Sequence, residues 1–69
     1  MLIEQKRKER NMTQQELADA IGTRQNNISR YERSERTPDL RTLKALAKVF
    51  GCSIDELLQD PEEEAAAAA

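Results

Sequence analysis

The chain has only two glycines in 69 residues, Gly22 and Gly51, and each stands at the end of an apolar-periodic segment. The pattern Ser/Thr-x-x-Glu stands directly ahead of leucine at two places, residues 13–16 and 53–56. In such a capping box the first side chain accepts a hydrogen bond from the fourth amide, and the fourth side chain accepts one from the first amide, so each pattern starts a helix. Glycine takes the left-handed conformation that ends one. This punctuation allows only short helices with tight connections.

The apolar spacing between these marks agrees. Residues 2–10, LIEQKRKER, are helix formers whose only apolar members are Leu2 and Ile3, so this helix is mostly solvated and docks by its first turn. Asn11 then falls where a left-handed terminator is wanted. Thr13 opens a second helix, with Leu17, Ala18 and Ile21 on its inner side and Gly22 at its end. In a third helix, 24–33, Ile28 and Tyr31 lie three apart on a thin buried stripe. Residues 34–38 read as a loop, after which Asp39 caps a fourth helix. Its Leu40, Leu43, Leu46, Ala47 and Phe50 follow helical spacing and are expected to form the centre of the core. Ser53 opens a fifth helix carrying Leu57 and Leu58, both expected in the core unless one is spare for a dimer contact, and Cys52 reads as a buried small hydrophobe.

Composition supports helix over sheet, since 35% of residues are charged and only 3% aromatic. The expectation is an all-α, compact five-helix bundle in one domain, residues 1–60. Residues 61–69, PEEEAAAAA, read as an acidic and alanine-rich tail: a linker, a tag or a further short helix.

The formal net charge of −2 hides a segregation. Residues 1–50 hold all 11 bases against seven acids, a balance of +4, whereas residues 51–69 hold six acids and no base. With no histidine and one cysteine, neither a disulfide framework nor a Cys/His metal site can be assembled, and no cofactor or small-molecule ligand is expected. An enzyme is not expected either, because no nucleophile lies beside a base. No apolar run approaches membrane-spanning length and no secretory signal opens the chain, so the expected setting is the reducing cytoplasm.

The segment GTRQNNISRYER, residues 22–33, gathers amide and hydroxyl side chains between arginines, none of which serves a core. Two short helices joined by about three residues with Gly22 in the turn form a helix-turn-helix arrangement. Ala18 is small enough for close helix approach, and the second helix turns a broad polar face outward. On these residues, and on MTQQELADAIGTRQNNISRYER, PDLRTLKALAKVFG and CSIDELL in that order and spacing, the chain resembles the Cro and lambdoid-repressor type of helix-turn-helix protein, the XRE family, over residues 3–58.

The resemblance implies a lambda-repressor-like domain whose third helix lies in the major groove of double-stranded DNA. Carried onto this chain, the base-reading set is Gln25, Asn26, Ser29 and Arg30. An amide can donate to adenine N7 while accepting from N6, and arginine can donate twice to guanine, each pair discriminating by about 1–3 kcal/mol. Gln14, Thr23, Arg24, Asn27, Arg33 and Arg36 are the implied backbone contacts. Arg7 and Glu32 match an internal ion pair of some relatives. The implied activity is transcription regulation, most simply repression, from a pseudo-palindromic operator bound by a homodimer. The implied dimer contact is the last helix and the loop before it, residues 52–59, from Cys52 through Gln59. An interaction module, antitoxin or adaptor, with secondary DNA binding is the alternative. Three positions depart from the family: Arg24 replaces a capping serine, leaving Thr23 as the cap, and Ser34 and Asn11 replace glycines.

Overall fold

A computed structural model describes residues 1–59, in five helices with no strand among them: α1 (Ile3–Glu9), α2 (Gln14–Ile21), α3 (Gln25–Glu32), α4 (Leu40–Phe50) and α5 (Ile54–Leu57). The tail expected at 61–69 and the domain boundary at 60 lie outside the described residues.

The helices start and stop for local reasons. At α2 the full capping box forms: Thr13 Oγ1 accepts from the Glu16 amide at 3.0 Å, and Glu16 Oε1 accepts from the Thr13 amide at 3.0 Å. Asp39 Oδ1 accepts from the Thr42 amide at 2.8 Å to cap α4. Gly22 and Gly51 end α2 and α4 with φ of 73° and 65°. Asn11 and Ser34 take left-handed φ values of 55° and 60° without being glycine.

The second expected box forms only in part. Ser53 Oγ accepts from the Glu56 amide at 3.0 Å, but the Glu56 carboxylate turns instead to Lys6 Nζ on α1, 3.4 Å away. A cation from another helix competes successfully with the local amide.

Ile3, Leu17, Ala18, Ile28, Tyr31, Leu43, Leu46, Phe50 and Leu57 form one buried cluster drawn from all five helices. Each large aliphatic side chain fully buried here contributes about 1.5–3 kcal/mol relative to exposure. The start of α1 is tied to the end of α5 by the Leu2 amide, which donates to the Leu57 carbonyl at 3.0 Å.

Two core expectations are corrected, at Leu40 and Cys52. Leu40 is 60% exposed, because the packed surface of α4 begins at Leu43, one turn further on, and Leu40 overhangs the end of the core. Pro38, just before the cap, is buried instead. Cys52 is half-buried at the core margin, having its place after the glycine that turns the chain away from α4. Of the two final leucines, Leu57 is fully buried and Leu58 is 44% exposed.

Candidate nucleic-acid interface

The geometry of the α2–α3 pair follows from two small residues. Ala18 on α2 is completely buried, and Gly22 lets the chain reverse so that the Thr23 amide donates back to the Ala18 carbonyl at 2.9 Å. Ile28 and Tyr31 hold α3 down, leaving Gln25, Asn26 and Arg30 exposed to solvent.

Helix α3 begins at Gln25, one residue later than the sequence suggests, with Arg24 extended at the N-cap and making no side-chain cap. Thr23 does not cap the helix either. Its Oγ1 accepts from Asn27 Nδ2 at 2.8 Å, so the two polar side chains satisfy each other across the turn. Asn27 is half-buried there.

Gln25, Asn26, Ser29 and Arg30 come together with Gln14 and Arg33 around an open cleft of about 360 Å³. Gln25, Asn26 and Arg30 are exposed and Ser29 is half-buried. Arg24 and Arg36 are exposed but do not line this cleft. Arg24, Arg30 and Arg36 make no ion pair with any of the described residues. Arg33 Nη2 donates to Glu35 Oε2 at 2.9 Å, in an exposed pair that water screens.

Behind the cleft runs a chain of hydrogen bonds. Arg7 donates from Nε to Glu32 Oε2 at 2.7 Å and from Nη2 to Glu32 Oε1 at 3.2 Å, a fork geometry particular to arginine. Gln14 Nε2 donates to the same Glu32 Oε1 at 3.0 Å, and Gln25 Nε2 donates to Gln14 Oε1 at 3.4 Å. The Arg7 and Glu32 side chains are 12% and 5% exposed. The hydrogen bond to Glu32 is the main reason the Arg7 guanidinium is held above the ordinary arginine range, against the opposing effect of burial.

Sequence reasoning assigned no partner to Arg10, the residue that follows α1. Arg10 Nη2 donates to the Phe50 carbonyl, satisfying an otherwise unpartnered acceptor at the end of α4. The partners are 40 residues apart, so no local pattern announces the bond.

The chemistry available here is recognition: amide donors and acceptors, a hydroxyl and guanidinium groups facing outward. No group of three or more His, Cys, Asp or Glu among the described residues is arranged to hold a metal ion. No helix among them is long and apolar enough to cross a membrane.

The sequence pattern of the helix-turn-helix family fits residues 3–57. The chain belongs to the XRE helix-turn-helix family. This helix-turn-helix protein is 41% identical over 56 residues to the cryptic phage CTXphi transcriptional repressor RstR of Vibrio cholerae, covering 81% of this chain and 50% of that one. It is 37% identical over 60 residues to the HTH-type transcriptional regulator ImmR of Bacillus subtilis (strain 168), covering 87% of this chain and 47% of the relative. The chain thus spans about half the length of these curated relatives. Among solved structures it matches the P22 c2 repressor, crystallised in complex with synthetic operator 9T, with a TM-score of 0.79 and 38% identity over 83% of this chain and 86% of that one. The expected all-α, lambda-repressor-like fold is therefore the fold found.

Proposed function

We propose that this chain is a sequence-specific double-stranded DNA-binding module of a transcription regulator, most simply a repressor. Helix α3 enters the major groove, and Gln25, Asn26, Ser29 and Arg30 meet base edges. Gln14, Arg24, Arg33 and Arg36 meet the sugar-phosphate backbone, with Thr23 and Asn27 shaping the turn from which backbone amides approach it. The reading is supported above all by the convergence of four polar α3 side chains with Gln14 and Arg33 around one open cleft. It gains support from the repressor names of the relatives and from the operator bound by the P22 c2 repressor. The family is one of regulators and not an enzyme class, and catalysis forms no part of the proposal.

A single module this small buries too little surface to select one site in a genome, so the proposed form is a homodimer on a pseudo-palindromic operator. Its contact is assigned to the end of α5 and the loop before it, residues 52–59, where Leu58 is 44% exposed beside the fully buried Leu57. The proposed setting is the cytoplasm, where the regulated DNA lies.

Selection from a random duplex pool at fixed salt, followed by sequencing, tests the reading. The expected result is an enriched site with two-fold symmetry and half-sites about one helical turn, roughly 34 Å, apart. A pool that emerges unenriched overturns it in favour of a protein-interaction module.

A further inference from the structure

We infer that Lys6 and Arg10 are positioning residues for operator spacing: from one stripe of α1 they splint the segment assigned to the dimer contact, and so fix where the second protomer's α3 falls on DNA. The inference rests on the dimeric, DNA-reading function proposed above.

Leu2, Lys6 and Arg10 follow one another at four-residue intervals, from the N-cap of α1 to its C-cap, so they share one face of that helix. Each is tied to the same stretch of chain. The Leu2 amide donates to the Leu57 carbonyl at 3.0 Å, Lys6 Nζ lies 3.4 Å from Glu56 Oε1, and Arg10 Nη2 donates to the Phe50 carbonyl. A Cβ added at Gly51 would lie 3.4 Å from Arg10 Nη2, so the guanidinium also covers the turn between α4 and α5. The next stripe of α1 holds the rest of the domain, with Ile3 in the core and Arg7 on Glu32 of α3. Helix α1 thus touches both the segment that would meet a partner and the helix that would meet DNA.

The segment needs such ties. A helix of four residues has no stability of its own in water, and Leu57 is the one fully buried residue of α5. The Glu56 carboxylate has left the local capping bond, which would stabilise α5 alone, for Lys6, which sets its place on α1. The Lys6 side chain is only 16% exposed, so its stem lies along the protein and the ammonium arrives from a fixed direction.

In a symmetric dimer, any tilt of α5 within a protomer is repeated across the two-fold axis and separates the two α3 helices twice over. Moving the half-sites apart by one base pair shifts one against the other by roughly 3.4 Å and turns it by about 35°. A splinted α5 rejects that shift, whereas an untied one follows it.

The test measures affinity for duplexes carrying the enriched half-sites at their selected spacing, one base pair closer and one further apart, and for a single half-site. Lys6→Met and Arg10→Met keep an apolar stem and lose the tie. An exposed ion pair is worth about a two- to threefold factor, and the two-fold axis squares it, so Lys6→Met is expected to lose about fivefold in preference for the selected spacing. Arg10→Met should lose at least as much, since a charged donor on a carbonyl makes the stronger bond. Affinity for the single half-site stays at the wild-type value, and Lys6→Arg, which restores the pair, keeps the wild-type preference. Should Arg10→Met fail to fold, as read by circular dichroism, Lys6→Met alone decides. An unchanged spacing preference in Lys6→Met overturns the inference, as does an equal loss on every duplex, single half-site included, which makes the ties structural only. A wild-type pool without an enriched two-fold site takes down the proposed function and this inference with it. An enriched site that the wild type binds equally at all three spacings overturns the inference alone.

Discussion

Arg7 and Glu32, 25 residues apart in sequence, meet in a forked ion pair with Arg7 Nε 2.7 Å from Glu32 Oε2, joining α1 to the last residue of α3. The same guanidinium donates from Nη1 to the Met12 carbonyl at 2.7 Å. One side chain thus anchors both α3 and the turn that leads into α2.

Because both partners are nearly buried, removing one strands the other. Arg7→Met should lower unfolding stability by about 3 kcal/mol, and the Arg7→Met, Glu32→Met double variant should lose clearly less than the sum of the single losses. Urea denaturation of the four proteins measures the coupling. Simple additivity would rule it out.

Asp39 sets an acid dependence. Its carboxyl lies below the ordinary 3.8, chiefly because of its side-chain and backbone hydrogen bonds with Thr42, and Glu4 lies below the ordinary 4.5 through its contact with Lys8. For a group depressed in the folded state, the stabilisation is present above the unfolded value and is lost as pH falls through the folded value. Melting temperature should therefore drop as pH falls below these ordinary values, and Asp39→Asn, which keeps a capping oxygen without the charge, should melt at nearly the wild-type temperature near neutrality with a shallower acid slope. An identical slope in the variant would contradict the assignment.

Ser34 holds a φ of 60°, a conformation that costs a residue with a Cβ about 1 kcal/mol. Ser34→Gly relieves that strain while adding chain entropy to the unfolded state, so a net gain of about 0.5 kcal/mol is expected in chemical denaturation. A loss of stability would mean that the serine contributes something beyond its backbone angle.

On DNA, Arg30 and Arg36 should behave differently. Arg30→Ala should cost about 1–3 kcal/mol on the preferred site and relax selectivity at one base pair, whereas Arg36→Ala should weaken all sequences alike and reduce the salt dependence. Binding titrations on cognate and random duplexes at several salt concentrations separate the two. Equal losses on both duplexes for Arg30→Ala would remove it from the reading set.

Leu58→Glu tests the dimer contact without touching the core, since Leu58 is 44% exposed. Sedimentation should show monomers at concentrations where the wild type associates, with an unchanged helical spectrum and weakened binding to the full operator. Leu57→Glu, at a fully buried position, should unfold the domain instead.

How much of this was legible in the sequence divides along sequence separation. The starts of α2 and α4, the ends at Gly22 and Gly51, and the left-handed Asn11 depend on atoms within a few residues of one another. So does the exposed face of α3, because Ile28 and Tyr31 leave only one way for that helix to turn. Side chains that choose between a local and a distant partner were not legible. Glu56 left its own capping box for Lys6 on α1. Leu40 and Leu43 occupy the same helical stripe, and only the extent of the packed surface beside α4 buries one and exposes the other.

The sequence by itself determined where α2 and α4 start and stop and which residues could face a ligand, since capping, glycine conformation and apolar period act over a few bonds. Only the tertiary structure decided how those side chains are held. The Arg10 bond to Phe50 spans 40 residues, and the chain from Arg7 through Glu32 and Gln14 to Gln25 brings together three helices. Such contacts depend on how helices cross, and their energy becomes available only after the core has fixed the distances between them.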